Sequence, residues 1–422
     1  MRKERARQGP TDLALVSWSW VSGSTLCAFH SIHHRTMDLQ FDHPTHIHAL
    51  RPCHTDDATD LVAVGGTHTV EILSVGTSDI RCIASFHIGT RITAIAWSSA
   101  TVSPRNSDNW SIQLAAATED YGLHLLSKSS VDPEYIYAFG GGTSGHHGLI
   151  NDMTFCGGWA EDSARYVATV SDDKMLMVWD LQPSSSPSRP HLSSEAPSRS
   201  PSPMDSPTTS SRPQPTAYVI PFPHPLTSIS SHPLTSKEFL VSDCRGSVYL
   251  TDWRSDLEAM DDGLGNASLR HGNLVELVEP WAMSAVGMGQ HVGPWGGSTA
   301  WRSDSVECIG GAFGNRFSIW DLSMLRGGKP AIAAQGTLDG GHKFRWCPTY
   351  PEHFGISSHS PTRGAVIQIH NVNFVTAQPT VFTLRPRPQM VKDFDFLSMP
   401  GIPRIAAAVG RTMLVFPIGE ES

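Results

Sequence analysis

Long apolar runs are missing from this 422-residue sequence, and none approaches the length of a membrane span. The N-terminus, Met1-Arg2-Lys3-Glu4-Arg5, lacks the hydrophobic stretch that would follow in a secretory signal. Cysteine is sparse and unpaired in pattern. Seven are scattered at positions 27, 53, 82, 156, 244, 308 and 347, with no CxxC. An odd count in apolar, strand-like surroundings predicts reduced thiols in a cytosolic or nuclear protein, which leaves the Asn266-Ala267-Ser268 sequon without meaning. Charge is also scarce, at 17%, and its balance is negative, −9. That argues against a general binder of nucleic acid or anionic membrane, with Arg385-Pro386-Arg387 as a local basic exception.

Catalytic signatures are absent too. There is no GxxxxGK[ST], no GxSxG and no HExxH. Gly287-Met288-Gly289 is Gly-rich but does not sit between a strand and a helix. Of the 21 histidines, His30, His33, His34, His43, His46 and His48 crowd one region near Cys53 and His54. They lack the spaced pairs that a tetrahedral zinc site uses. The sequence therefore predicts no catalytic, cofactor or metal site, no small-molecule substrate and no enzyme.

What is present is turn-rich and strand-rich, with 36 Gly and 30 Pro. One stretch stands out: GHHGLINDMTFCGGWAEDSARYVATVSDDKMLMVWDL, residues 145–181. Ile150-Met153-Phe155, Val167-Thr169 and Val178-Trp179 fit three strands, and Ser171-Asp172-Asp173-Lys174 reads as a turn between two of them. The stretch resembles a complete WD repeat, with Gly145-His146 at its start and Trp179-Asp180 at its end. The resemblance implies that His146, Thr169, Asp173 and Trp179 form a buried hydrogen-bonded tetrad. Buried polar groups of this kind are tolerated only when each is paired. One such repeat is a four-stranded blade that cannot bury its faces alone, so several more should surround it.

Weaker copies do. They run over residues 46–75, 92–128, 226–254, 297–323, 342–371 and 391–418. The expected fold is all-β, a seven-bladed WD40-type β-propeller. Its expected organisation is a basic tail at 1–10, a propeller over 11–418 and an insertion at 183–216. Strands within Leu13–Phe29 are expected to supply the outer strand of the last blade, closing the ring and removing exposed sheet edges.

The insertion at 183–216 is dominated by Ser and Pro and is expected to be disordered. Its Ser-Pro steps at Ser186, Ser200, Ser202 and Ser206 are candidate phosphorylation sites. It follows the third strand of blade three, with Ala217–Phe222 as the expected fourth. Residues 255–273, 323–329 and 98–109 lengthen connections on the same face. The opposite connections, at Gly65-Gly66, Glu119-Asp120 and Arg245-Gly246, are short. Leu274–Val278 is the expected outer strand of blade four. Trp159 and Trp295 fall in loop-like contexts and are candidate partner-facing residues.

Two family resemblances bear on function. Trp-Asp-x-Arg would mark a receptor of a cullin ubiquitin ligase. Trp179-Asp180-Leu181-Gln182 and Trp320-Asp321-Leu322-Ser323 lack the arginine, and Asp252-Trp253-Arg254 reads as carrying it out of register. Blade three, together with YLTDWRS, FSIWDLS, GGHKFRWCPTYPEHF, GAVIQIHNVNF, AQPTVF and PRIAAAVGR, resembles the nucleoporin 37 family of fungi, WD-repeat subunits of the Y-shaped nuclear pore scaffold. That resemblance covers most of residues 46–418. It implies a non-catalytic subunit at the nuclear envelope, in the nuclear pore complex of the nucleus. Its partners would be the large propeller-solenoid nucleoporin (nucleoporin 120 in fungi, 160 in animals) and other Y-complex subunits. Neither direct nucleic-acid binding nor membrane insertion is implied. The alternative is another interaction scaffold, such as a ubiquitin-ligase receptor or chromatin adaptor.

Overall fold

A computed structural model describes residues 39–159, 162–183, 214–254, 274–278, 297–358 and 361–419. The first strand, β1 (Leu39–Asp42), stands apart from the blade that follows it. Blade one is then β2 (Ala49–Pro52), β3 (Leu61–Gly65), β4 (Thr69–Val75) and β5 (Ile80–His87). Blade two is β6 (Ile92–Trp97), β7 (Ser111–Thr118), β8 (Leu123–Ser129) and β9 (Tyr135–Phe139). Blade three is β10 (Ile150–Phe155), β11 (Tyr166–Ser171), β12 (Met175–Asp180) and β13 (Thr216–Pro221). Blade four is β14 (Leu226–Ser231), β15 (Glu238–Asp243), β16 (Ser247–Asp252) and β17 (Val275–Val278). Blade five is β18 (Ser298–Trp301), β19 (Cys308–Phe313), β20 (Arg316–Asp321) and β21 (Ile332–Gln335). Blade six is β22 (Gly341–Trp346), β23 (His353–Ser358), β24 (Ala365–Asn371) and β25 (Thr380–Arg385). Blade seven is β26 (Val391–Phe396), β27 (Arg404–Val409) and β28 (Thr412–Pro417), completed by β1.

The expected seven-bladed all-β propeller is therefore present, each blade a four-stranded antiparallel sheet. The first strand of every blade touches the first strands of both neighbours, so these strands line the ring. Second strands are buried along nearly their whole length, because both faces of each blade are covered. The apolar core falls into one cluster per blade-to-blade seam. Between blades five and six, for example, Phe317, Phe344 and Phe354 pack together, and Gly310 is small because a Cβ there would meet the Phe344 ring at 2.3 Å.

Ring closure departs from the sequence expectation. The edge of β28 is taken by β1, with Leu39 opposite Val415 and Asp42 opposite Thr412. The closing strand is thus 39–42, not a strand within Leu13–Phe29, which lies outside the described residues. Only two apolar side chains, Leu39 and Phe41, alternate on this half-buried outer strand, so its hydrophobic signal is small. The fourth strand of blade three is β13, which places residues 184–213 between third and fourth strands. The short β17 does pair with β16. The contrast of long and short faces needs one correction. Connections from second to third strands, and from one blade to the next, share a face. β17 ends and β18 begins at that face with residues 279–297 between them in sequence, so the connections starting there are not uniformly short.

Candidate functional site

Three arrangements of polar or exposed side chains are the places where this fold could act. The first is inside blade three. The Trp179 indole Nε1 donates to Thr169 Oγ1 at 3.0 Å, and Thr169 Oγ1 is 2.8 Å from His146 Nε2. His146 Nδ1 is 2.8 Å from Asp173 Oδ2, which also accepts from the His147 amide. Neutral His146 fits this chain, taking the Thr169 proton at Nε2 and donating to Asp173 from Nδ1. Burial holds its pKa below the ordinary value, although Asp173 pulls the other way. Burial works against the Asp173 carboxylate as well. The His147 amide and the imidazole outweigh it, so the Asp173 pKa lies below the ordinary value. His146 and Thr169 are buried, which makes the set bracing inside a blade rather than an open dyad.

The second arrangement lines the ring axis, and no linear motif announces it. Equivalent positions on the first strands are Ala49, Ala94, Asp152, Ser228, Ser298, Lys343 and Asp393, as the register of each blade shows. Wherever this residue carries a side-chain oxygen, it accepts the amide of the first strand of the next blade. Asp152 accepts from Ile229 (3.2 Å), Ser228 from Thr299 (3.1 Å), Ser298 from Phe344 (3.0 Å) and Asp393 from Leu50 (3.1 Å). First-strand amides facing the axis have no further strand to pair with, so these side chains satisfy them. Cations complete the ring. Arg51 reaches Asp152 at 2.6 Å, and Arg345 lies 3.4 Å from both Asp393 and Asp395. Burial penalises Asp393, but Arg51, Arg345 and Lys343 outweigh it and hold it below the usual carboxylate range. Lys343 is pushed down by its enclosed position, partly offset by Asp393 and Asp152. Three cations and three carboxylates make the lining charge-balanced.

The third is a surface. Connections between first and second strands, and between third and fourth, emerge on one face. Val131, Trp159, Leu234, Met324, Tyr350 and Phe374 are exposed on it, whereas the opposite face shows Tyr121 and Leu338. Trp159 is 75% exposed and Leu234 is 65% exposed, on neighbouring blades. Their loops pack closely against each other. Ser163 Oγ donates to the carbonyls of Gly157 and Gly158 at 2.8 Å. Gly158, at φ +78°, lies so close to blade four that a Cβ would stand 2.7 Å from the Leu234 carbonyl oxygen. Beside them, Arg165 grips Asp180 through two bonds of 2.8 and 2.6 Å. Arg254 pairs with Asp162 at 2.8 Å, and its guanidinium lies 5.2 Å from the Tyr166 ring centre and 5.0 Å from that of Trp253.

Of the other sequence candidates, Trp295, Ser186, Ser200, Ser202 and Ser206 lie outside the described residues. Among the described residues no group of three His, Cys, Asp or Glu side chains could hold a metal ion. No helix among the described residues is long and apolar enough to cross a membrane. The register of Arg254 needs correcting. Asp252 pairs with Glu238 as Asp180 pairs with Tyr166, so Arg254 occupies the position of Gln182, where a Trp-Asp-x-Arg arginine belongs. It is the tryptophan that is missing, with Thr251 in its place.

No family model matches the chain, and no curated protein matches it in sequence. Among solved structures it is similar to Raptor from Chaetomium thermophilum, with a TM-score of 0.59 and 12% sequence identity. The likeness covers 90% of this chain but only 29% of the Raptor chain. At that identity it shows the propeller fold alone.

Proposed function

We propose that this chain is a non-catalytic scaffold subunit of the nuclear pore Y-complex, docking on the large propeller-solenoid nucleoporin and supporting nucleocytoplasmic transport. The observation that carries the scaffold part is the Trp159–Leu234 knob. It is exposed, pre-positioned by Ser163 and Gly158, and flanked by Arg165, Tyr166 and Arg254. Tryptophan, tyrosine and arginine dominate binding hot spots, and a rigid presentation saves the entropy of ordering a loop. A stable interface of this kind buries on the order of 1,200–2,000 Å² in total. Support for the pore assignment is the sequence resemblance. Its more specific pieces, GGHKFRW and PRIAAAVGR, fall on β22 and β27, which build blades six and seven rather than the surface. Imaging of the fluorescently tagged chain tests the assignment. Nuclear-rim signal is expected, and its absence would refute the pore role.

One observation favours a second reading, a substrate receptor of a cullin ubiquitin ligase: Arg254 in the register of the receptor arginine. Here the guanidinium is held by Asp162 and stacked on Tyr166 and Trp253, so it is occupied within the chain. Affinity purification that returned cullin adaptors without Y-complex subunits would favour this reading.

A further inference from the structure

The Arg385-Pro386-Arg387 patch lies on the face opposite Trp159, and it is one end of a larger electropositive rim. Arg387 is exposed in the turn between β25 and β26, where the Gln389 amide donates to the Pro386 carbonyl. Lys392 is exposed at the start of β26. Among the described residues neither has an ion-pair partner. Arg411, also exposed, donates from Nε to the His43 carbonyl and so borders the loop that carries His46. His48 is half-buried on this side. Its burial, first, and then Arg91, Lys392 and His46 push it down to about 4, so it is neutral at physiological pH. A chain of net charge −9 thus gathers Arg387, Lys392 and Arg411 on blade seven and its connections, with the exposed Asp42 carboxylate among them beside Arg385 and Arg411.

The rim changes character at blade two. There Glu119 pairs with Arg91 at 2.9 Å, and Asp120 accepts from Thr118 and Gly122. An open hollow of about 430 Å³ is lined by Thr67, His68, Thr90, Arg91, Glu119 and Asp120. The Thr90 hydroxyl beside it is buried and has no hydrogen-bond partner. A buried hydroxyl without a partner is costly, so the wall of the hollow is locally under-satisfied.

The geometry points to this rim as a docking groove for an extended acidic segment of a partner protein. Its carboxylates lie over Arg387 and Lys392, and a polar or basic side chain enters the hollow at blade two. Charge complementarity selects the occupant. Nucleic acid carries a uniform negative charge and would meet Glu119 and Asp120 at the blade-two end. The exposed aromatic there, Tyr121, sits beside those same carboxylates, a poor platform for stacking a base with its phosphate. This groove is independent of the Trp159 surface, so either can fail alone.

The test uses the full chain and two fluorescent probes, a Glu/Asp-rich peptide ending in lysine and an oligothymidylate of equal charge, read by anisotropy. The wild type is expected to bind the peptide, with affinity falling as salt rises. The double variant Arg387→Glu/Lys392→Glu should weaken it by about tenfold or more. The control, Arg326→Glu/Lys329→Glu, reverses two exposed cations on the opposite face and should change it by less than about twofold. Thermal unfolding checks that each variant is folded. If a reversal variant does not fold, Arg387→Gln/Lys392→Gln replaces it with a smaller loss in the same direction. No peptide binding by the wild type, equal loss in both doubles, or tighter binding of the oligothymidylate would overturn the proposal.

Discussion

Blades three and five end their third strands with the same residues, Trp179-Asp180-Leu181 and Trp320-Asp321-Leu322, yet they are braced differently. In blade three the indole donates to Thr169, and through it reaches His146 and Asp173. In blade five the residue in the register of Thr169 is Gly311, where a Cβ would meet the Phe313 ring at 2.7 Å and Thr299 at 2.8 Å. Trp320 turns its N–H outward instead, to the Gly328 carbonyl of the following connection at 3.0 Å. The aspartates also part company. Asp180 is gripped by Arg165, while Asp321 accepts from Ser323 to cap its own short turn. Both indoles keep an edge-to-face aromatic neighbour, Phe139 or Phe313. A Trp-Asp pair at a strand end thus specifies apolar packing in both blades. The polar network needs three further residues, and only blade three combines them with the pair among the described residues.

The largest expected effect compares the inner braces. Asp152→Ala strands the Arg51 charge and the Ile229 amide, and should cost about 3–5 kcal/mol in denaturant unfolding. The blade-five counterpart, Ser298→Ala, leaves one amide orphaned and should cost about 1–2 kcal/mol. Equal costs would erase the distinction between a charged and a neutral brace. Next, Thr169→Val keeps the shape but orphans the Trp179 N–H inside blade three, with an expected loss of about 2–3 kcal/mol. Trp320→Phe, which forfeits only the bond to Gly328, should lose less than Trp179→Phe in the same assay.

The pH dependence separates the blades further. His146 has its folded pKa below the unfolded value, so the native state binds fewer protons there. Its contribution is full above the ordinary histidine value of 6.5 and declines as pH falls below it. The His146→Asn variant should therefore be less stable than wild type at pH 7, but should lose less stability on acidification from there. Parallel melting-temperature curves for the two proteins would contradict the neutral imidazole. The smallest effect expected is from Asp321→Ala, a half-buried cap worth about 1 kcal/mol.

Much of this was legible in the chain. Seven units, the third-to-fourth-strand position of the 184–213 segment and the Leu274–Val278 strand follow from alternation and turn residues that are local in sequence. The closing strand was not, because Leu39–Asp42 offers two apolar residues while the richer Leu13–Phe29 draws the eye. The axial ring was hidden for another reason. It takes one residue per blade, and Asp152, Ser228, Ser298 and Asp393 form a pattern only once the registers of separate sheets are aligned. Trp159 was legible as a loop tryptophan. Its neighbour Leu234 was not, because Gly158 brings the two loops together across a blade boundary.

The scaffold reading meets its most direct test in affinity purification of the tagged chain, wild type beside Trp159→Ala/Leu234→Ala. Wild type is predicted to recover the large propeller-solenoid nucleoporin. The double variant, folded but shorn of its knob, should recover it at least about thirtyfold less well, the loss of a hot-spot pair. Recovery of cullin adaptors or histones in place of Y-complex subunits by the wild type, or undiminished recovery by the variant, would contradict the account.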